Sequence, residues 1–204
     1  MVSGHKRRTM TISSAVTHDA ESKKLRELYR LFDAGSADDL PEYEFVAADE
    51  VPSPYHGLLV HDKHMTVTVE AYHRDRVKVR VLARRHVGND YARKILLTLA
   101  GNGKVVQFGI MRVRLDLCDP EVRETIVSAQ VPLGRILIEH NVLRRIEPKA
   151  YLRVLPGPAM MSWFGDRGSR PTFGRLALIH CNRQPAVELI EIVAPETPRP
   201  AGKH

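Results

Sequence analysis

At 204 residues the chain suits one domain with a real core, and a second independent domain is not expected. Its 43% hydrophobic and 27% charged residues are those of a globular protein, and no apolar run approaches the roughly 18 residues of a membrane span, so a helical membrane protein is excluded. A net charge of +7 implies an anionic partner. The cations are scattered along strand-like segments and aromatic residues make up only 6%, which favours a small anion and leaves nucleic acid resting on net charge alone.

Residues 1–17 carry His5, Lys6, Arg7 and Arg8 with no apolar run behind them, so they read as a flexible arm and not a secretory signal. The domain is expected over 18–196 and a disordered, proline-rich tail over 197–204. Cys118 and Cys181 lie far apart in apolar surroundings, as reduced core thiols of a cytoplasmic protein would, with a disulfide the lesser alternative.

From His18 to Asp33, Leu25, Leu28, Tyr29 and Phe32 recur at helical spacing, which predicts an amphipathic helix. Gly35, Ser36 and Pro41 break it, and Ala34 to Pro54 reads as an acidic connector over the surface. Leu58 to His73 has strand propensity at Val67 to Val69 but helical spacing at Met65, Val69 and Tyr72, and helix is the preferred reading. His61 and His64, three apart, lack a third ligand nearby, so no metal is assigned. Val77, Val79 and Val81 alternate as in a half-buried strand; Tyr91 to Ala100 and Lys104 to Leu115 form a hairpin about Gly101-Asn102-Gly103.

Asp119-Pro120-Glu121 opens a helix, with Asp as cap and Pro at the first helical position. It runs toward Gln130 and a Pro132-Leu133-Gly134 corner, where Leu133 is either a pocket wall or ordinary core between two helices. Leu143 to Val154 is a strand. The apolar stretch of Met160, Met161, Trp163 and Phe164 is read as a loop that lids a pocket, meets a second subunit or fills core. Phe173 to Cys181 and Ala186 to Val193 make a last hairpin about Asn182 to Pro185. The element order predicts a single α+β domain: an antiparallel β-sheet with helices packed around it. The oligomeric state is not legible.

Four pieces of this pattern together resemble the chorismate pyruvate-lyase family and its ligand-sensing relatives, the UTRA domains. They are Met65-Thr66 after the acidic connector, Arg93 opening the strand Arg93-Lys94-Ile95-Leu96-Leu97, the Pro132 to Leu137 corner, and the last strand from Gln184-Pro185 through Glu191-Ile192-Val193. Coverage runs from about Leu58 to Pro195. The acidic connector, the stretch from Met160 to Pro171 and the competing carboxylate of Glu188 depart from the pattern.

The resemblance implies conversion of chorismate to 4-hydroxybenzoate and pyruvate without cofactor. It gives Arg93 and backbone N–H groups near Met65 and Leu133 the ring carboxylate, and Glu191 the opposite end of the ring. The chemistry suits such a set: a guanidinium matches a carboxylate with two hydrogen bonds, and formation of an aromatic ring drives the elimination, so positioning and one carboxylate suffice. The alternative is a non-catalytic UTRA-like domain that binds an aromatic or sugar acid. Either way the expected partner is a small anionic aromatic or pre-aromatic ligand. Glu188 and Glu191, three apart on a strand, face opposite sides, so only one can line a pocket.

Overall fold

The computed structural model of the protein describes residues 12–32, 40–165 and 170–196. Helix α1 (Ile12–Arg30) begins inside the stretch read as an arm, so residues 12–17 are helical; the tail at 197–204 lies outside the described residues. Leu25, Leu28 and Tyr29 are buried, the face that the helical spacing marked. The acidic connector is not all loop. Glu42-Tyr43-Glu44-Phe45-Val46 alternates with period two and forms strand β1 (Glu42–Val46), paired with β5 (Arg144–Leu155).

Two helices, α2 (Tyr55–Leu59) and α3 (Met65–His73), follow, then the strands β2 (Val77–Val87), β3 (Asp90–Leu99) and β4 (Val105–Arg114). Helix α4 (Pro120–Ser128) starts with Asp119 at its N-cap, but the Asp119 carboxylate makes no capping hydrogen bond. The expected corner is instead the first turn of a helix, α5 (Leu133–Glu139): the amides of Arg135 and Ile136 donate to the Pro132 carbonyl at 3.0 and 3.1 Å. The apolar stretch expected as a loop contains α6 (Pro158–Phe164), with Gly157 at its cap and Pro158 where a missing N–H costs nothing. Strands β6 (Thr172–Cys181) and β7 (Gln184–Val193) close the chain through a two-residue turn, Asn182 and Arg183, both with positive φ.

Among the described residues all seven strands join one antiparallel sheet in the order β1-β5-β6-β7-β4-β3-β2, so the fold is a single α+β domain as expected. Helices α2 to α5 cover one face through Leu58, Val69, Val122 and Ile136. Helices α1 and α6 cover the other, where Leu28, Met160 and Phe164 pack on Leu96, Phe108 and Ile190. The stretch from Met160 to Phe164 therefore packs on the far face and is no lid to the site described below. Among the described residues no helix is long and apolar enough to cross a membrane. Cys118 and Cys181 are free and buried in one cluster; burial raises both thiols, with Cys181 pushed up to about 12.

Candidate functional site

Strands β3, β4 and β7 lie side by side, and their alternation sends one set of side chains under α3 and α5. Arg93 pairs in register with Met111, which pairs with Leu189; Ile95 pairs with Gly109, which pairs with Glu191. Gly109 has no side chain to occupy the centre of this floor. The roof is made by the starts of α3 and α5, with Met65, Thr66, Leu133 and Gly134 over the strands. Gly134 has to be glycine here: a Cβ would stand 2.9 Å from His64 Cβ and 3.1 Å from Thr66 Oγ1, so any side chain forces the helices apart. Between floor and roof is a cavity of about 50 Å³.

Arg93 is the group that defines this cavity. It is 0% exposed, its Nη2 donates to the Val131 carbonyl at 3.1 Å, and its Nε and Nη1 have no hydrogen-bond partner. Burial pulls its pKa below the ordinary value, and the Tyr91 phenol two residues along the strand works against that shift. A buried guanidinium with two unused donors is costly unless something neutralises it. Gln107, also in the cavity wall, has an unpartnered Oε1.

The backbone adds donors. His64 caps α3, and its carbonyl takes the amides of Val67 and Thr68 at 3.1 and 3.2 Å, which leaves those of Met65 and Thr66 with no acceptor inside the helix. The amides of Leu133 and Gly134 stand likewise at the start of α5, since the Pro132 carbonyl serves Arg135 and Ile136. The two helices are tied by an ion pair from Arg135 to Glu70, and Glu70 also accepts from the Val77 amide at 2.9 Å.

Glu191 is held from the side by Arg175, its register partner on β6, through Nε to Oε2 at 2.8 Å. Arg175 is 1% exposed, and its two terminal nitrogens donate to the carbonyls of Leu59, His61 and Lys63 at 3.2, 2.9 and 3.1 Å. One guanidinium thus fixes a carboxylate in the cavity wall and the segment that leads into α3. His64, at the end of that segment, accepts from Arg144 Nε at 2.7 Å through its own Nε2. Burial first, then the charges of Arg144 and Arg175, lower the His64 imidazole to about 4, so it is neutral near pH 7.

No protein-family model matches the sequence, and no curated protein matches it. Solved structures similar to the chain include the effector domain of PhnF from Mycobacterium smegmatis, at 14% identity and TM-score 0.47, covering 65% of this chain and 88% of that one. The ligand-binding domain of a putative GntR-family transcriptional regulator from Bordetella bronchiseptica is similar at 14% identity and TM-score 0.45, covering 62% and 92%. PhnF itself is similar at 12% identity and TM-score 0.48, covering 91% and 86%.

Of the residues singled out in the sequence, Met65, Arg93, Leu133 and Glu191 all line this one cavity. Leu133 is both pocket wall and core, being 8% exposed and packed in a hydrophobic cluster. Glu188 faces the other side of the sheet, where Arg112 Nε donates to its Oε2 at 2.9 Å. His61 and His64 point to different arginines, and no group of three or more His, Cys, Asp or Glu residues gathers among the described residues. Arg175, Gln107, His64 and Arg135 were missed. Arg175 left a signal: it is the one charge in the alternating run Phe173, Arg175, Ala177, Ile179, where a solvent-facing residue has no place.

Proposed function

We propose that the protein binds a small aromatic carboxylate in the cavity beneath α3 and α5, as a ligand-binding domain. The observation that carries this reading is Arg93, fully buried, with Nε and Nη1 unpartnered, in a cavity shared with two helix starts whose first amides have no acceptor inside their own helix. A carboxylate accepts two parallel N–H bonds from such a fork and removes the cost of the buried charge. The rest of the wall, Ile95, Met111 and Leu189, suits an apolar ring. Register and strand spacing put the Cα atoms of Arg93 and Glu191 roughly 12 Å apart, so a ring anchored on Arg93 presents a hydroxyl at its far end toward Glu191. The cavity of about 50 Å³ is smaller than the roughly 150 Å³ that holds a benzene, so binding has to part the helix starts from the sheet.

A second reading, turnover of chorismate, is favoured by the one carboxylate in the same wall. On that reading Glu191 takes the ring hydrogen beside the hydroxyl while the C–O bond to the enolpyruvyl group breaks, its electrons leave with the enolpyruvate oxygen, and the methylene carbon of that enolate gains a proton, with Glu191 returned to its carboxylate, giving 4-hydroxybenzoate and pyruvate. Titration calorimetry with 4-hydroxybenzoate and with 4-hydroxybenzyl alcohol tests the first reading: the acid binds, the alcohol does not, and Arg93→Ala abolishes the difference. Equal affinity for acid and alcohol sinks it. Incubation with chorismate and chromatography of the products decides the second, since a ligand-binding domain forms no 4-hydroxybenzoate above the spontaneous background.

A further inference from the structure

The end of the cavity away from Arg93 holds two acceptors, and the hydroxyl of a 4-hydroxy acid has a proton for only one of them. Gln107 lines the cavity and is 3% exposed, and its Oε1 has no hydrogen-bond partner. Its amide reaches back along β4 to the level of Glu191: Nε2 is 3.8 Å from where a Cβ on Gly109 would stand, and Gly109 is the register partner of Glu191. Gln107 and Glu191 are thus diagonal neighbours on one face of the β4–β7 ladder, with Cα atoms about 7–8 Å apart. Arg175 takes Glu191 Oε2, and Oε1 remains to accept. We propose, on the reading that Arg93 holds a carboxylate, that the ligand carries two adjacent hydroxyls at this end, one donating to Glu191 and the other to Gln107 Oε1, so that Gln107 selects a 3,4-dihydroxylated aromatic acid.

Arg93 does not answer Gln107 in the unliganded protein. Its Nη2 is tied to the Val131 carbonyl, and Gln107 pairs with Leu97, about 13 Å farther along β3. A buried acceptor without a donor costs stability, and a ligand that brings the donor recovers that cost as affinity. Gln107 and Glu191 both stand on the sheet, on paired strands, so parting the helix starts to admit a ring leaves their spacing as it is. Hydroxyls on neighbouring ring carbons leave the same edge of the ring and so reach two acceptors set side by side.

Titration calorimetry of the intact protein with 4-hydroxybenzoate, 3,4-dihydroxybenzoate and 3-fluoro-4-hydroxybenzoate separates a second donor from added bulk, because fluorine is close to a hydroxyl in size and has no proton to give. The dihydroxy acid should bind about tenfold tighter than 4-hydroxybenzoate, and the fluoro acid no tighter. Gln107→Met keeps the length of the side chain and removes the acceptor, so it should cancel the advantage of the dihydroxy acid and leave 4-hydroxybenzoate where it was. The wild-type series decides the matter by itself if the variant does not fold. A dihydroxy acid no tighter than 4-hydroxybenzoate, a fluoro acid equal to the dihydroxy acid, or an advantage that survives in Gln107→Met overturns the proposal. In those cases the carboxylate reading still stands, provided that 4-hydroxybenzoate binds and that Arg93→Ala abolishes its binding. Absence of binding by all three acids overturns both.

Discussion

Arg175 donates from Nε to Glu191 Oε2 at 2.8 Å, directly across the β6–β7 ladder, while its remaining nitrogens hold three consecutive-odd carbonyls, those of Leu59, His61 and Lys63. The same side chain therefore sets the position of a cavity carboxylate and the entry to α3. Arg175→Met leaves Glu191 without its cation and three carbonyls without their donor, and should cost about 3–5 kcal/mol in urea denaturation. Arg175→Lys should recover only part of this, because a point charge cannot span four acceptors in a plane. A loss under about 1 kcal/mol for the methionine variant would show that the network is dispensable.

Arg93 should behave in the opposite way. Its guanidinium is buried with two unused donors, so Arg93→Met removes an uncompensated charge and keeps most of the volume. The unliganded protein should gain about 1 kcal/mol or more, read as a higher Tm, while carboxylate binding is lost. A lower Tm together with lost binding would mean that Arg93 is structural.

Glu188 and Glu191 form an internal control, since one strand sends them to opposite faces. Glu191→Gln should weaken 4-hydroxybenzoate about tenfold, through the lost charged acceptor for its hydroxyl, and should leave benzoate little changed. Glu188→Gln breaks a pair whose side chains are 34% and 33% exposed, so it should cost no more than about 1 kcal/mol of stability and no affinity. Equal loss for benzoate and 4-hydroxybenzoate in Glu191→Gln would place Glu191 away from the hydroxyl.

His64 makes the fold sensitive to mild acid. Its folded-state pKa of about 4 lies below the unfolded value of 6.5, so between these pH values the unfolded chain binds the extra proton. The stabilisation is fully present above pH 6.5 and is lost as pH falls toward 4. From pH 7 to pH 5 the native protein should lose about 2 kcal/mol more than a His64→Asn variant, measured by denaturant unfolding at each pH. Parallel losses in the two proteins would remove His64 as the source.

The sequence by itself determined which faces are apolar, and hence most of the elements: the helical spacing of Leu25, Leu28 and Tyr29, the alternation in the strands, the Gly101 to Gly103 hairpin, and the opposite faces of Glu188 and Glu191. These are periodicities of a single element, set by 3.6 or two residues per repeat. It failed where local chemistry permits two outcomes. Pro132-Leu133-Gly134 suits a corner or a helix start, and the second is selected by the Arg135 and Ile136 amides closing on the Pro132 carbonyl, under a roof where a Gly134 Cβ would stand 2.9 Å from His64 Cβ. Met160 to Phe164 is apolar either as lid or as helix, and its packing on Phe108 from the far face decides for helix. Arg175 reaches Leu59, Arg135 reaches Glu70 and Arg144 reaches His64 across 116, 65 and 80 residues, and hydrogen bonds across such separations leave no trace in spacing. Met65, Arg93, Leu133 and Glu191 were named by the resemblance to the chorismate pyruvate-lyase family; strand order and register decide that they share a cavity, because neighbours in the sheet are not neighbours in the chain.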